Sequence, residues 1–423
     1  MAGSKYVNLV HLLRNERRSL DELIYHQSIA LKNLVNHAYS TVPFYKKLYD
    51  VKGLNPQDIQ SIEDITKIPI IDKQLLVQNS FDKLISNKYK LNNLIPVKTA
   101  GSNGKPFLFY IDHAFDQFRK AQFLRPYFTN GMRPWNSTIT FSIYDLLPPK
   151  KWYQYLGILR ENKIHPGLTV YEQIKIIQNN KPSIIRGYGS ALNLLAVKII
   201  ENNIPVPKQR FIFTDSELLM PESRTNIEKA FESNVIDIYG TFETDNIAYE
   251  CNHHEGYHIT IDSVIMEFLD NGKPVKPNEE GEIVVTVLNN FAFPFIRYNL
   301  YDIGSYSQKP CSCGRTFPLM NTIYGRANDY MIRSDGNRLS YTGIAHFDKL
   351  APNVREYQIV QEDIDFFNVY VVPGIDYDNH GEKIIVPKIK KFFPNARIAV
   401  NVVPKIEREQ SGKFKAFKSK VNA

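Results

Sequence analysis

The chain has 423 residues, of which 43% are apolar and 23% are charged, as in a folded globular protein rather than a disordered or fibrous one. This length exceeds what one ordinary hydrophobic core supports, so we expect two or more domains. No apolar run reaches the roughly 18 residues of a membrane span, and the first residues lack the apolar stretch of a secretory signal. The three cysteines, an odd and low count, argue against a disulfide framework and predict a reducing compartment, the cytoplasm.

The basic excess, a formal net charge of +8, raises the question of nucleic-acid binding. Lysines and arginines are scattered along the chain, their densest cluster runs from Lys405 to Lys420, and no base-reading module is visible. Small polyanionic ligands such as nucleotides explain a mild basic excess equally well. We therefore expect no nucleic-acid partner.

The N-terminal region is predicted to be helical and to lead into an α/β core. Residues 8–50 are predicted to form helices. Within them, apolar residues recur at helical spacing through LDELIYHQSIALKNLVNHAY, and this run stops at Val42-Pro43. From about residue 95 to residue 300, short β-rich runs such as STITFSIY and NVIDIYG alternate with helical stretches such as ALNLLAVKIIENN. This alternation predicts a mainly parallel α/β sheet.

The pattern changes twice in the second half of the chain. Residues 257–288 contain two adjacent strand-like runs, HITIDSVIMEFLD and GEIVVTVL, which predict a β-rich subdomain beside the α/β core. After about residue 329, the strand-like runs EYQIVQED and FFNVYVVPG precede a helical stretch and a third strand-like run, ARIAVNVV. This β-β-α-β order predicts a small α+β domain.

The clearest chemical signal is the segment TAGSNGKP, residues 99–106. Small and hydroxyl-bearing residues around two glycines let backbone N–H groups and side-chain hydroxyls surround a phosphate. The spacing of a Walker loop, G-x-x-x-x-G-K-[ST], is absent. For this segment alone, an ordinary surface turn is the alternative.

Four further motifs follow this segment along the chain. They are YGTFE (239–243), RYNLYDIG (297–304), GRANDYMI (325–332) and SGKFK (411–415). In this order, the five motifs resemble those of the adenylate-forming superfamily, which includes acyl-CoA synthetases, peptide-synthetase adenylation domains and luciferases. The runs VPFYKKLYD, IPIIDKQLL, RGYGSAL and CSCGR are similar to its phenylacetate-CoA ligase-like branch, which includes capsule-biosynthesis homologues. The resemblance covers nearly the whole chain.

The resemblance implies an α/β protein in two parts. Residues 1–328 would form a large adenylation domain of several subdomains, with a parallel sheet and a β-rich, zinc-bearing subdomain at about 245–325. Residues 329–423 would form a small, mobile α+β lid domain. The implied reaction joins a carboxylic acid to ATP, giving an acyl-adenylate and pyrophosphate, and then transfers the acyl group to coenzyme A.

The resemblance also assigns roles to residues of the large domain. Glu243 would hold Mg²⁺, a hard cation that prefers carboxylate oxygen. Asp302 would accept hydrogen bonds from the ribose hydroxyls, and Tyr239 would lie against the adenine or the acyl group. The remaining predicted nucleotide-binding residues of this domain are Thr99, Ser102, Asn103, Gly104, Lys105, Gly240 and Thr241. Without the motifs, Glu243 would be interpreted as a helix-cap residue and Tyr239 as a sheet residue.

Three charged residues near and beyond the domain junction complete the predicted site. Arg326 would lie near the ribose and phosphate, and Asp329 would contact the nucleotide and act as the hinge. Lys413 would reach both the carboxylate and the α-phosphate as a point charge when the small domain closes. Without the motif, Lys413 would be interpreted as part of a solvated basic tail.

The cysteines form the sharpest secondary pattern in the chain. Four nitrogen and sulfur ligands suit a tetrahedral structural Zn²⁺ with no open coordination position, which would stabilise the β-rich subdomain without serving catalysis. The predicted ligands are Cys251, His258, Cys311 and Cys313. His253 and His254 are competing ligands, and buried free thiols are the alternative to a metal site.

The identity of the acid and of the acyl acceptor is left open by the sequence. Ala100 and Asn103 stand where many relatives have Ser and Thr, and the segment RSDGNRLSYTG does not clearly match the stretch associated with thioester formation. Acceptors other than coenzyme A are therefore alternatives: an amine, a carrier protein, or a glycan in polysaccharide or natural-product biosynthesis. A non-catalytic nucleotide-binding homologue is the second alternative, and a homodimer is also left open.

Overall fold

The structure is a computed structural model that divides the chain into two compact units. It describes residues 4–99, 107–142, 152–165, 167–326, 330–335, 338–340, 354–374, 377, 380–407 and 416–421. The first unit contains Met1–Met132 and Ile238–Ile323, and the second contains Arg133–Asp237 and Tyr324–Ala423. Among the described helices, none combines the length and the apolar character that crossing a bilayer requires.

The first unit begins with helices and one short hairpin. These elements are α1 (Lys5–Asn15), α2 (Leu20–Thr41), α3 (Pro43–Lys52), α4 (Lys73–Val77), α5 (Phe81–Leu84), β1 (Ile95–Lys98), β2 (Leu108–Ile111) and α6 (His113–Thr129). The Ser19 side chain caps α2 by accepting the Glu22 N–H. The chain leaves α2 at Val42, and Pro43 occupies the first turn of α3, where its missing N–H costs nothing. The predicted helical break at Val42-Pro43 is therefore confirmed.

The first stretch of the second unit alternates strands and helices. Its elements are β3 (Thr138–Phe141), α7 (Trp152–Tyr155), β4 (Glu161–Ile164), α8 (Val170–Asn180), β5 (Ile184–Gly187), α9 (Gly189–Glu201), β6 (Phe211–Asp215) and α10 (Pro221–Phe231). The strands lie in the order β4-β3-β5-β6 and pair in parallel, as the alternation predicted. A buried apolar cluster including Ile139, Ile185 and Leu192 holds the helices against these strands.

The chain then returns to the first unit through a run of strands. They are β7 (Val235–Thr241), β8 (Asp245–Glu250), β9 (Tyr257–Ile259), β10 (Val264–Asp270), β11 (Lys273–Pro274), β12 (Gly281–Val287), β13 (Tyr298–Ser307) and β14 (Leu319–Arg326). Their order is β11-β10-β12-β13-β14-β9-β8-β7, and β8 pairs antiparallel with both β7 and β9. The helix α6 is fastened to this sheet by the buried Arg125, which donates two hydrogen bonds to Asp262 at 2.9 and 2.6 Å. The β-rich region that the sequence predicts is present.

The last stretch of the second unit forms a small sheet with its own core. Its elements are β15 (Tyr330–Ile332), β16 (Arg338–Ser340), β17 (Val354–Asp363), β18 (Phe366–Pro373), α11 (His380–Phe392), β19 (Arg397–Val402) and β20 (Phe417–Ser419). The sheet order is β19-β18-β17-β20, and buried residues including Ile359, Phe367 and Ile389 pack together between sheet and helix. The predicted β-β-α-β order is observed, with β20 as an added parallel strand beside β17.

Candidate functional site

The predicted cation-binding carboxylate, Glu243, lies at the tip of the hairpin between β7 and β8. Gly240 precedes it, and a Cβ at this position would lie 2.0 Å from the carbonyl oxygen of Asp245, so only glycine fits. The Thr241 N–H donates to the Thr244 hydroxyl at 3.2 Å across the turn. Asp245 closes the turn with a φ of 61°, in the left-handed region. Steric limits at Gly240 and the hydrogen bond across the turn therefore hold the hairpin in one tight shape.

Tyr239 and Asp302, predicted separately from two motifs, are in direct contact. The Tyr239 hydroxyl donates to Asp302 Oδ2 at 2.8 Å, and both residues are 7% exposed. Tyr239 stands near the end of β7, and Asp302 lies within β13. The structure thus brings the predicted ribose acceptor and the predicted aromatic residue together at one place in the first unit.

A second tyrosine of β13 contacts the predicted magnesium ligand. The buried Tyr298 hydroxyl lies 3.5 Å from Glu243 Oε1 and is oriented to donate to it. Burial, and next the nearby Glu243 carboxylate, raise the pKa of the Tyr298 phenol above its ordinary value. The phenol therefore keeps its proton at neutral pH and presents it to the carboxylate. Sequence reasoning missed Tyr298, although it stands in the same RYNLYDIG motif as Asp302.

Thr99 closes the base of the predicted phosphate loop. Its N–H donates to the Phe107 carbonyl at 2.8 Å, and its hydroxyl accepts the Phe107 N–H at 2.9 Å. Arg326 is the last residue of β14. The other predicted residues of the loop, hinge and tail lie outside the described part of the chain: Ser102, Asn103, Gly104, Lys105, Asp329 and Lys413.

The four predicted metal ligands lie together in the first unit. The Sγ atoms of Cys251 and Cys311 are 3.6 Å apart, and Cys313 Sγ is 3.4 Å from His258 Nε2. All four donor atoms lie within 4.8 Å of one another. Metal–ligand bonds of about 2.0–2.3 Å place tetrahedral ligand atoms about 3.3–3.8 Å apart, whereas a disulfide needs about 2.05 Å. The spacing therefore fits a tetrahedral ion better than it fits a disulfide.

The chemistry of the donors also suits a cation. Burial lowers the pKa of His258 to about 4, so its imidazole is neutral at pH 7, the form that binds metals. The His253 N–H donates to Cys251 Sγ at 3.4 Å, and backbone N–H groups two residues further on contact the other two sulfurs in the same way. Such hydrogen bonds favour thiolates, the form that binds zinc. Burial is the largest cause that raises the pKa of Cys251 and Cys311, and contact with Cys313 raises it further.

The two competing histidines have other partners. His253 Nδ1 lies 2.6 Å from the Ser312 hydroxyl, and His254 Nδ1 lies 3.7 Å from a Glu250 carboxylate oxygen. Ser312 in turn donates to the Glu255 carboxylate at 2.5 Å. Among the described residues, His258 is the histidine that shares a donor cluster with the three cysteines.

A buried carboxylate that the sequence did not reveal anchors the neighbouring loop. Glu16, at the end of α1, accepts hydrogen bonds from Thr129 at 2.6 Å, Tyr249 at 2.5 Å and Arg315 at 3.0 Å. Arg315 follows Cys313 by two residues, so this network connects α1 and α6 to the cysteine loop. The partners are up to 299 positions apart in the chain, and no local pattern predicts such a contact.

Comparison with solved structures finds proteins that share this fold. A crystal structure of 2-hydroxyisobutyryl-CoA ligase in the postadenylation state, in complex with R3-HIB-AMP, has a TM-score of 0.78 to this protein. The match covers 96% of this chain and 91% of that chain at 20% sequence identity. The protein therefore shares its fold with this ligase, and the predicted fold class is confirmed.

Comparison of the sequence with known proteins identifies a matching domain family and several relatives. The model of the CapK C-terminal domain matches residues 331–420. The protein CapK of Staphylococcus aureus is 26% identical over 414 residues, covering 94% of this chain and 89% of CapK. The phenylacetate-coenzyme A ligase of Thermus thermophilus is 26% identical over 320 residues, covering 72% of this chain and 71% of the ligase. The predicted resemblance to the phenylacetate-CoA ligase-like and CapK-like branch is confirmed.

Proposed function

We propose that this protein is an adenylate-forming ligase that activates a carboxylic acid with ATP and transfers the acyl group to coenzyme A. The observation that carries the proposal is the hydrogen bond between Tyr239 and Asp302, with Glu243 held beside Tyr298. Relatives named phenylacetate-coenzyme A ligase and a structural neighbour that holds an acyl-AMP bear out this enzyme class.

The proposed first step is an in-line displacement. A carboxylate oxygen of the acid bonds to the α-phosphorus of ATP, the bond from that phosphorus to the bridging oxygen breaks, and pyrophosphate leaves. Asp302 would accept hydrogen bonds from the ribose hydroxyls, with its orientation set by the Tyr239 hydroxyl. Catalysis of this kind depends on positioning and on neutralising charge, so fixed side chains supply most of it.

Glu243 is our candidate for the magnesium-binding residue. Its carboxylate sits on a rigid hairpin tip, and the protonated Tyr298 orients one of its oxygens. An oxygen ligand of this type fits Mg²⁺, which would shield phosphate charge when bound. We also assign Thr99, Ser102, Asn103, Gly104, Lys105, Gly240 and Thr241 to the nucleotide, with Arg326, Asp329 and Lys413 acting from the segments that follow.

We further propose a structural zinc held by the cysteine cluster. The donor spacing, the neutral imidazole of His258 and the N–H groups directed at the sulfurs support it. The four ligands would be Cys251, His258, Cys311 and Cys313. The ion would link the two loops that carry these residues and take no part in the reaction.

A different acyl acceptor is the second candidate function. The CapK relative covers more of this chain than the phenylacetate-coenzyme A ligase of Thermus thermophilus does, 94% against 72%. An amine, a carrier protein or a glycan would then replace coenzyme A in the second step, in which the acceptor attacks the acyl carbonyl and AMP leaves. The first step is the same in both candidates. We place the reaction in the cytoplasm, on the basis of cysteine usage.

The decisive experiment is acid-dependent pyrophosphate exchange. Purified protein with ATP and millimolar Mg²⁺ should exchange labelled pyrophosphate into ATP when one acid of a broad aryl, acyl and amino acid panel is present. Omitting the acid or the Mg²⁺ is the control and should abolish exchange. The active acid is then tested for AMP release with each acceptor. If calorimetry detects no ATP binding with millimolar Mg²⁺, the proposal is wrong.

A further inference from the structure

Arg119 of α6 holds the hairpin tip that carries Glu243. Its Nε donates to Asp245 Oδ2 at 3.1 Å, and its Nη2 donates to the Phe242 carbonyl at 3.1 Å. The two acceptors flank Glu243 in the sequence, one residue before it and two residues after it. The Arg119 and Asp245 side chains are each 15% exposed, so solvent competes weakly for this pair.

The two contacts that Arg119 makes, to the Asp245 carboxylate and to the Phe242 carbonyl, suit a guanidinium. One planar group with several fixed donors can reach a carboxylate and a backbone carbonyl at once, which a single ammonium does poorly. Asp245 serves as a bridge, because its Oδ1 also accepts the Asn246 N–H at 2.8 Å. One helical turn further along α6, Gln122 donates to the Asn246 carbonyl at 2.6 Å. The helix thus fastens both the tip of the hairpin and the start of β8.

Hydrogen bonds within the turn set its local shape, and Arg119 fixes that turn against α6. Phe242 is 41% exposed and adds no buried apolar anchor. Removing the guanidinium would leave the Asp245 charge without this partner and the Phe242 carbonyl without this donor. The turn would then be free to shift against α6, and Glu243 would lose its fixed distance to Tyr298.

We propose that Arg119 is a positioning residue for Glu243 and thereby sets the affinity of the nucleotide site for the divalent cation. This inference rests on the proposed function, in which Glu243 binds Mg²⁺. It concerns a residue outside the five motifs, on a helix whose sequence carries no sign of the role.

The test measures pyrophosphate exchange against Mg²⁺ concentration at saturating ATP and acid. Arg119→Gln should raise the half-saturating Mg²⁺ concentration about tenfold or more, the scale of losing one charged hydrogen bond. Arg119→Lys should recover only part of the shift, because one ammonium replaces a two-way contact. Lys120→Gln is the matched control: this next residue pairs with Asp116 on the exposed side of the same helix and should leave the Mg²⁺ dependence unchanged.

The outcomes separate positioning from general stabilisation. A purely structural role would lower the unfolding temperature or the maximal rate and leave the Mg²⁺ curve in place, and that result would overturn the inference. If Arg119→Gln does not fold, Asp245→Asn removes the same charge pair at constant shape and must show the same Mg²⁺ shift for the inference to stand. Absence of exchange in the wild-type protein would instead contradict the proposed function.

Discussion

The hydroxyl of Tyr239 has a role that its aromatic ring does not explain. A ring lying against adenine or the acyl group needs no hydroxyl, yet this hydroxyl bonds the Asp302 carboxylate at 2.8 Å in a buried setting. Hydrogen bonds to charged groups are worth about 1.5–3 kcal/mol, more than those between neutral groups. The contact therefore fixes the rotamer of the carboxylate that we assign to the ribose.

Tyr239→Phe should weaken the binding of ATP more than it slows the chemical step. The ring remains and only the hydrogen bond to Asp302 is lost, so KM for ATP should rise by about tenfold to a hundredfold. Steady-state pyrophosphate exchange over a range of ATP concentrations measures it. Tyr306→Phe is the control, since this tyrosine lies on β13, the strand of Asp302, and its hydroxyl donates to the Val275 carbonyl at 3.4 Å. An unchanged KM in Tyr239→Phe would show that Asp302 needs no such orientation.

Single residues differ in how much of their role a sequence can reveal. The sequence singles out Asp302 and Glu243 as candidates because each stands at a fixed position within a recognisable motif. Arg119 and Glu16 could not, because their partners are remote in the chain, 126 and 299 positions away in two of their contacts. Helical periodicity predicts that such polar residues lie on the exposed face of a helix. Glu16, however, is only 4% exposed.

At the scale of elements, the cysteine cluster connects two loops of the β-rich region. Cys251 follows β8, while Cys311 and Cys313 lie between β13 and β14. His258 is on β9, which pairs antiparallel with β14 at Leu319. The loops also meet through Ser312, whose N–H and hydroxyl both donate to Glu255. A zinc here would replace several weak contacts between loops with four strong ones.

Cys311→Ser should remove the metal and destabilise the protein. We expect about one zinc per chain in wild-type protein purified without a metal column, and much less in the variant, because serine is a poor zinc ligand. Elemental analysis and the unfolding temperature are the measurements, with a lower temperature in the variant and in chelator-treated wild type. His254→Ala, next to the cluster but outside the donor set, should keep both values. Metal-free wild-type protein with three freely titrating thiols would contradict the zinc site.

The boundaries of some strands differ between the sequence-based prediction and the structure. The run HITIDSVIMEFLD has one continuous strand pattern, yet the structure divides it into β9 and β10. The reason is tertiary: Asp262 in the break turns to pair with the fully buried Arg125. The short β20 was also not predicted, because three residues beside a basic tail carry no periodic signal. Its pairing with β17 depends on a partner about 60 positions earlier.

At the scale of the whole molecule, the predicted division near residue 329 stays a prediction with support from the fold. Strands β17, β18, β19 and β20 form a four-stranded sheet with a buried apolar cluster of its own, as a small α+β domain requires. The CapK C-terminal domain model begins at residue 331, close to the predicted boundary. The compact units divide the chain differently, since residues 133–237 group with the C-terminal stretch.

The predicted role of Lys413, in the SGKFK motif, depends on a two-part architecture. Lys413 stands 170 positions after Glu243, outside the described residues, and its role rests on the resemblance. The resemblance predicts a small domain that closes in two ways, one for each half-reaction. A lysine on a C-terminal segment can neutralise charge on the reacting carboxylate and α-phosphate in one closure and be absent in the other.

Lys413→Ala should therefore impair adenylation alone. Loss of a positioned charge should slow acyl-adenylate formation by roughly two to four orders of magnitude. ATP affinity should change far less, because the other assigned phosphate contacts lie in residues 99–106. The second step, started from synthetic acyl-adenylate, should proceed at the wild-type rate, since it no longer needs charge at the α-phosphate. Single-turnover assays of each half-reaction separate these cases, with Lys418→Ala on β20 as the control for loss of a tail charge. Near-wild-type adenylation in Lys413→Ala would mean that this lysine is only a solvated charge.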